Sequence, residues 1–133
     1  MSAKILIVED EMLVAVDLEA VLEDIGHQPV GIATDLADAE TLANEEVDLA
    51  LVDLNLRDGL TGPEIGKRLS ARGVTVLFIT ANPRLLGAGI AGTIGVLTKP
   101  TDEATVRAAV NYALGVRFGR TGLRPPPALH LFG

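Results

Sequence analysis

The stretch LVDLNLRDG, residues 51–59, joins an apolar run to an aspartate and then to a turn. Its first two residues end a run that is apolar at every position, which is expected of a strand buried between two layers of helices. Asp53 follows directly, and the Asp-Gly pair at 58–59 predicts a turn shortly afterwards. The stretch therefore predicts a buried parallel strand with a carboxylate at its carboxyl end.

Four other short apolar runs share this character, and segments of helical period separate them. This alternation indicates an α/β protein in which helices cover both faces of a parallel sheet. We expect a doubly wound five-stranded sheet in the flavodoxin-like order 2-1-3-4-5. The five predicted strands are 5–8, 30–33, 49–52, 74–79 and 93–97.

Apolar residues at helical spacing predict the helices. The first predicted helix has Leu18 on its apolar face and ends before Gly26, and the second covers 36–43 with Asp35 as its N-cap. The third includes Ile65 and Leu69, and the last ends at Gly115. The fourth crossover, 81–92, carries one proline and three glycines. Because these residues disfavour helix, the fourth helix should be short, irregular or missing.

The bulk composition limits the possible functions. A chain of 133 residues with 48% hydrophobic residues has the size of one domain, predicted over 1–115. Three consecutive prolines indicate that 116–133 is a flexible tail. A net charge of -7 argues against direct binding to nucleic acid or anionic membranes, and zero cysteines exclude disulfides. Without a signal-peptide pattern or a long apolar span, we expect a cytoplasmic protein.

Polar side chains follow four of the five predicted strands. Glu9 and Asp10 end the first run, Asp53 the third, Thr80 the fourth and Lys99 the fifth. Taken singly, each has an ordinary interpretation as a turn, a cap or a surface residue. Ligands of open α/β sheets bind beyond the carboxyl ends of the strands, so the coincidence of complementary groups at one edge favours a functional site.

Three carboxylates at one edge require a counter-charge. Two of them about 4 Å apart repel by roughly 4 kcal/mol at an effective dielectric near 20. A hard divalent cation with oxygen ligands, Mg²⁺ or Mn²⁺, would supply the charge, and Lys99 would add a second positive centre. Such a site suits a phosphoryl group that arrives on a carboxylate.

These motifs resemble the receiver domain of bacterial two-component response regulators. The resemblance covers about residues 3–114 and lies in ILIVEDE at 5–11, LALVDLNL at 49–56, VLFITAN at 76–82 and GVLTKP at 95–100. It implies that Asp53 accepts a phosphoryl group from a phosphohistidine of a sensor histidine kinase or a histidine phosphotransferase. The resulting aspartyl phosphate would alter contacts with a downstream protein.

The same resemblance implies a role for each residue of the site. Asp10 and Asp53 would bind Mg²⁺ directly, together with the backbone carbonyl of Asn55, while Glu9 would act mainly through water. Lys99 would contact the phosphoryl group, and Thr80 would turn its hydroxyl toward it. A cis peptide bond between Lys99 and Pro100 is also implied.

The chain departs from the receiver pattern at two positions. Val96 stands where receivers usually carry an aromatic residue that moves together with the threonine hydroxyl. Arg57 stands where a proline is common. We therefore expect the chemistry to be retained and the usual threonine–aromatic switch to be altered.

The leading hypothesis is a stand-alone receiver whose output is protein contact and phosphoryl flow. No enzymatic activity is expected beyond self-catalysed phosphoryl acceptance and autodephosphorylation. An alternative is a haloacid-dehalogenase-like phosphohydrolase with Asp53 as nucleophile, although its motif order would place the acidic pair last instead of at Glu9-Asp10. A degenerate receiver acting as a constitutive binding module would need a broken site, whereas every charged position here is filled.

Overall fold

The computed structural model describes residues 2–44 and 46–132. Three residues lie outside the described part: Met1, Glu45 and Gly133. Met1 begins the predicted domain, and Gly133 ends the predicted tail. The strands are β1 Lys4–Val8, β2 Gln28–Ala33, β3 Leu49–Val52, β4 Thr75–Thr80, β5 Gly95–Thr98 and β6 Leu129–Leu131. The helices are α1 Met12–Asp24, α2 Leu36–Leu42, α3 Gly62–Ala71 and α4 Glu103–Arg117, with a 3₁₀ turn at Pro83–Leu86.

The strands form one sheet in the order β2-β1-β3-β4-β5-β6. The first five strands pair in parallel, which confirms the predicted order 2-1-3-4-5. β6 pairs antiparallel with β5, so the prediction of a five-stranded sheet is corrected to six strands.

Alternate residues of each strand face opposite sides of the sheet, and each side has its own core. On one side, Ile5 and Ile7 of β1 pack in a cluster that includes residues of α1 and α4. On the other side, Leu6 and Val8 pack with residues of α2 and α3. The predicted cover of helices on both faces is therefore confirmed, and it explains why the strands are apolar at nearly every position.

Local sequence determines where most helices begin and end. Asp35 caps α2 through an Asp38 N–H, as predicted, at 2.8 Å. Gly26 follows α1 with a φ of 87°, which a residue with a side chain rarely adopts. The fourth crossover forms only the 3₁₀ turn, which confirms the expectation of a short or irregular helix. No helix in the described part of the chain is long and apolar enough to span a membrane.

The last helix runs past its predicted end, and residues 129–131 of the predicted flexible tail form a strand. α4 continues through Gly115 to Arg117. A side chain at 115 would collide with Leu123, so the glycine provides space for the returning chain instead of ending the helix. The chain then reaches β5, which would otherwise be an edge strand with unpaired backbone groups, and buries Leu129 there to 6% exposure.

Candidate functional site

The carboxyl ends of β1, β3, β4 and β5 place the predicted site residues along one rim of the sheet. Glu9, Asp53 and Thr80 are all buried in spite of their polar side chains, at 2%, 9% and 1% exposure. Asp10 is half-buried beside them. Buried polar groups of this kind need partners, and the partners here come from distant parts of the chain.

Three carboxylates converge at this rim. Glu9, Asp10 and Asp53 each offer an oxygen, and these oxygens all lie within 4.8 Å of one another. Carboxylate oxygens are the ligands that hard divalent cations take in proteins. The predicted acidic residues are therefore brought together in an arrangement that fits a magnesium ion.

Lys99 places one positive charge among these three carboxylates. Its Nζ donates to Glu9 Oε1 at 2.6 Å and to Asp53 Oδ2 at 3.0 Å. The Lys99 side chain is 16% exposed, so both ion pairs are largely shielded from water. One lysine among three carboxylates leaves negative charge uncompensated, which is a second reason why a cation fits.

Burial changes the acid–base behaviour of this pair. Desolvation raises the pKa of Glu9 above its ordinary value, and the hydrogen bond from Lys99 opposes that change. For Lys99, burial alone would lower the pKa, but the hydrogen bonds to Glu9 and Asp53 raise it. Lys99 therefore stays a cation across the physiological pH range.

The orientation of Asp53 is fixed by neighbouring backbone. Its own N–H donates to the Val8 carbonyl at 2.9 Å, and its Oδ1 accepts the Leu54 N–H at 2.7 Å. Gly62, at the start of α3, packs so closely that a Cβ there would overlap the Asp53 carbonyl and the Leu54 Cα. The sequence analysis missed Gly62, because nothing local marks a close approach between a helix and a strand end nine residues earlier.

Thr80 connects the site to the loop after β4. Its Oγ1 accepts the Asn82 N–H at 3.0 Å. Among the described residues, no hydrogen bond uses the hydroxyl proton of Thr80 as a donor. The hydroxyl therefore has a proton to offer to an acceptor that arrives next to Asp53.

The remaining predicted features lie close by. Asn55, proposed to offer its carbonyl, is exposed in the loop that follows β3, and the Lys99-Pro100 bond is cis as expected. Arg57 donates its N–H to the Thr34 carbonyl at 3.0 Å, a bond that proline at this position could not make. Val96 is 2% exposed and pairs with His130 of β6.

The family model for the response regulator receiver domain matches residues 5–111. The chain belongs to this family. Receiver domains are signalling proteins that accept a phosphoryl group and are not classical enzymes. The haloacid-dehalogenase alternative has no support from this match.

Curated relatives agree with this assignment. The phyllosphere-induced regulator PhyR of Methylorubrum extorquens is 38% identical over 118 residues, which are 86% of this chain and 44% of that protein. Sporulation initiation phosphotransferase F of Bacillus subtilis is 31% identical over 122 residues, 88% of this chain and 98% of the relative. The chain thus spans less than half of the first relative and nearly all of the second.

Solved structures show the same fold. The receiver domain of PhyR from Erythrobacter litoralis superposes with a TM-score of 0.78 at 31% identity, covering 94% of this chain and 97% of that one. The response regulator PhyR from Brucella abortus gives 0.76 at 32% identity, covering 90% of this chain and 50% of that protein. The receiver therefore corresponds to one part of the longer regulators.

Proposed function

We propose that Asp53 of this receiver is the phosphoacceptor and takes its phosphoryl group from the phosphohistidine of a sensor histidine kinase or a histidine phosphotransferase. The observation that carries the proposal is the placement of the Asp53 carboxylate. It is fixed by the Leu54 N–H on one oxygen and by Lys99 on the other, within 4.8 Å of two further carboxylates. Phosphoryl transfer depends mainly on such positioning and charge neutralisation.

The transfer is a displacement at phosphorus. A carboxylate oxygen of Asp53 forms a bond to phosphorus while the phosphorus–nitrogen bond of the phosphohistidine breaks. The electron pair of that bond returns to the imidazole, whose other ring nitrogen already carries a proton taken from solvent, so the ring leaves neutral. Lys99 and the Thr80 hydroxyl would donate hydrogen bonds to the transferred oxygens, and the bond from the Lys99 cation would be the stronger one because it is charge-assisted.

The metal site of this proposal consists of the Glu9, Asp10 and Asp53 carboxylates and the backbone carbonyl of Asn55. Magnesium or manganese would neutralise charge on the phosphoryl oxygens when bound there. Without a cation, an incoming phosphoryl group meets three carboxylates and a single lysine. The acidic cluster is therefore the reason to expect strict dependence on a divalent ion.

The face on which a phosphodonor would dock lies beside the site. Met12, Leu13 and Val16 in the first two turns of α1 are 53%, 86% and 49% exposed in spite of their apolar side chains. Met12 lies only two residues after Asp10, so a partner covering this face would bring its histidine to the rim of the sheet. Exposed apolar groups of this kind are typical of protein–protein contacts.

Self-catalysed loss of the phosphoryl group belongs to the same proposal. An aspartyl phosphate is an acyl phosphate, and water can attack its phosphorus. Asn82 is exposed two residues after Thr80, where its side chain could influence that water. The lifetime of the phosphorylated state would then set how long a downstream protein partner is bound. We place this signalling in the cytoplasm. The net charge of -7 argues against direct contact with nucleic acid or an anionic membrane.

The decisive experiment measures the intact mass of the full chain after incubation with acetyl phosphate and Mg²⁺. Wild type should gain the mass of one phosphoryl group, and Asp53→Asn should gain none. Asp17→Asn, which removes the same charge from an exposed position of α1, should still be phosphorylated. An equal adduct on Asp53→Asn would disprove the proposed acceptor.

A further inference from the structure

The C-terminal segment closes the edge of the receiver sheet. Leu129, His130 and Leu131 of β6 pair antiparallel with Leu97, Val96 and Gly95 of β5. The Phe132 N–H extends this ladder by donating to the Ile94 carbonyl at 3.1 Å. The backbone groups of β5 that would be unpaired on an edge strand are therefore covered by the chain's own C-terminal residues.

Two glycines make room for this segment. A Cβ on Gly95 would overlap the His130 carbonyl, and a Cβ on Gly89 would lie 2.5 Å from the Phe132 ring. Phe132 is half-buried and packs against Phe78, with ring centroids 6.3 Å apart. The body of the receiver is therefore shaped to accept residues 129–132, so their docking is a specific contact.

The contact is nevertheless slight. β6 has three residues, His130 and Leu131 are exposed, and only Leu129 is fully buried. The connection from α4 is mostly exposed and turns through glycines at 119 and 122 that both have positive φ. Short segments with few buried apolar contacts open at small free-energy cost, so this strand can leave the sheet without unfolding of the core.

Gly89, which packs against Phe132, is connected to the proposed phosphorylation site through the loop after β4. Thr80 Oγ1 holds the Asn82 N–H, and the Asn82 carbonyl accepts the Leu85 N–H at 3.1 Å in the 3₁₀ turn. The Leu86 carbonyl in turn accepts the Gly89 N–H at 2.8 Å. These bonds and the backbone of residues 82–89 connect the Thr80 hydroxyl to Gly89, the residue that Phe132 contacts.

A phosphoryl group on Asp53 would produce such a change. Its oxygens are stronger acceptors than any neutral group, so the Thr80 hydroxyl would turn toward them. A rotation that carried Oγ1 itself toward Asp53 would move it away from the Asn82 N–H and release the start of the 3₁₀ turn. Val96, at the position of the usual mobile aromatic residue, is buried in the core and has no ring to move.

We propose that residues 129–132 are a displaceable strap over the β5 edge, docked while Asp53 is unmodified and released when Asp53 is phosphorylated. This inference rests on the proposed function. It assigns to the C-terminal strand the conformational response that the side chain at position 96 cannot provide. Release would uncover the backbone N–H and C=O groups of β5 in the signalling state.

The test is amide hydrogen exchange of the full chain, followed by mass spectrometry, with and without beryllofluoride and Mg²⁺ as a phosphoryl analogue. Exchange in 129–132 and in 94–97 should become about tenfold faster or more when the analogue is bound. Thr80→Val has no Oγ1 to accept the Asn82 N–H, so exchange in both segments should already be fast without the analogue and should change little when it is added. Unchanged exchange in both segments of the wild-type chain would disprove the proposed release of the strap.

Two glycine variants test the contact without any phosphoryl group. Gly89→Ala fills the space under Phe132 and should speed exchange in 129–132 by itself. Gly87→Ala lies in the same loop and also has a positive φ, so it imposes a comparable backbone strain, but nothing lies within 4 Å of the added carbon, and it should speed that exchange less than Gly89→Ala does. Equal exchange in the two variants would mean that Gly89 does not hold the strap.

The two proposals fail in different ways. Absence of an acetyl phosphate adduct at Asp53 would contradict the proposed function. A normal adduct with no change of exchange in 129–132 would contradict only the strap. Both glycine variants should still accept a phosphoryl group, since neither position touches the carboxylates or Lys99.

Discussion

The ammonium of Lys99 lies 2.6 Å from a carboxylate oxygen of Glu9, which is 90 residues away in the chain. The same nitrogen reaches Asp53 at 3.0 Å, so one cation serves two buried acids. Removal of that cation would leave both acids without a partner in a site that water hardly reaches. Stability and the proposed phosphoryl chemistry therefore depend on the same contact.

Lys99→Met should destabilise the metal-free protein. Breaking a buried ion pair by removing one partner costs about 3 kcal/mol, because the other charge stays buried. Urea unfolding in the presence of EDTA at about pH 7 measures this loss. Lys67→Met, at an exposed position of α3, is the control and should change the free energy of unfolding by less than about 0.5 kcal/mol.

The loss caused by Lys99→Met should shrink as the pH falls. Burial raises the pKa of Glu9, and the Lys99 hydrogen bond is the main influence that lowers it. Without Lys99 the folded-state pKa rises further above the unfolded value, so the native state binds the proton first and acid favours folding. Repeating the unfolding experiment at about pH 5 should give a smaller difference from wild type. A difference that grows toward acid pH would contradict this account of Glu9.

Magnesium should stabilise the wild-type chain and not Asp10→Asn. A ligand at one hundred times its dissociation constant adds about 2.7 kcal/mol to the free energy of unfolding. Asp10→Asn removes a proposed ligand and also one of three mutually repelling charges, so it should be more stable than wild type in EDTA. Thermal unfolding with and without Mg²⁺ tests both statements. Asp17→Asn should respond to magnesium as wild type does, and an equal response of Asp10→Asn would exclude Asp10 from the metal site.

The site could be predicted because its residues are the ends of apolar strands. Asp53 and Lys99 are recognisable in the sequence as polar groups that follow buried runs, and a parallel sheet brings such ends to one rim. The strand order follows from the same alternation of strands and helices. These features depend on local pattern and on rules of topology, both of which the sequence carries.

The features that sequence reasoning missed depend on contacts between distant segments. The segment 129–131 is too short to have a pattern of its own, and it becomes a strand only because β5 offers an open edge. Glycine is typical of helix ends, yet Gly115 lies inside α4, where its lack of a side chain leaves space for Leu123. Such glycines can be interpreted only when the opposing surface is known.

Gly62→Ala should impair both stability and phosphorylation. The added carbon would overlap backbone atoms of Asp53 and Leu54, and overpacking of this kind costs about 1–3 kcal/mol. Since the backbone that orients Asp53 must shift, acetyl phosphate should react more slowly even when the variant is fully folded. Urea unfolding and the rate of the mass adduct measure the two effects. Gly73→Ala, which has a positive φ and open space, should lose stability through backbone strain but keep the wild-type rate.

The apolar residues at the start of α1 should matter for a protein donor and not for a small one. Leu13 is 86% exposed, so Leu13→Asp removes no packing and should leave the fold and the reaction with acetyl phosphate unchanged. The same variant places a charge in the proposed docking face, which should slow transfer from a phosphohistidine protein about tenfold or more. Leu85, in the 3₁₀ turn, is 52% exposed and lies outside the proposed docking face, so Leu85→Asp is the control. Transfer of the phosphoryl group from a labelled kinase that phosphorylates wild type measures the effect, and equal rates for both variants would place the donor on another face.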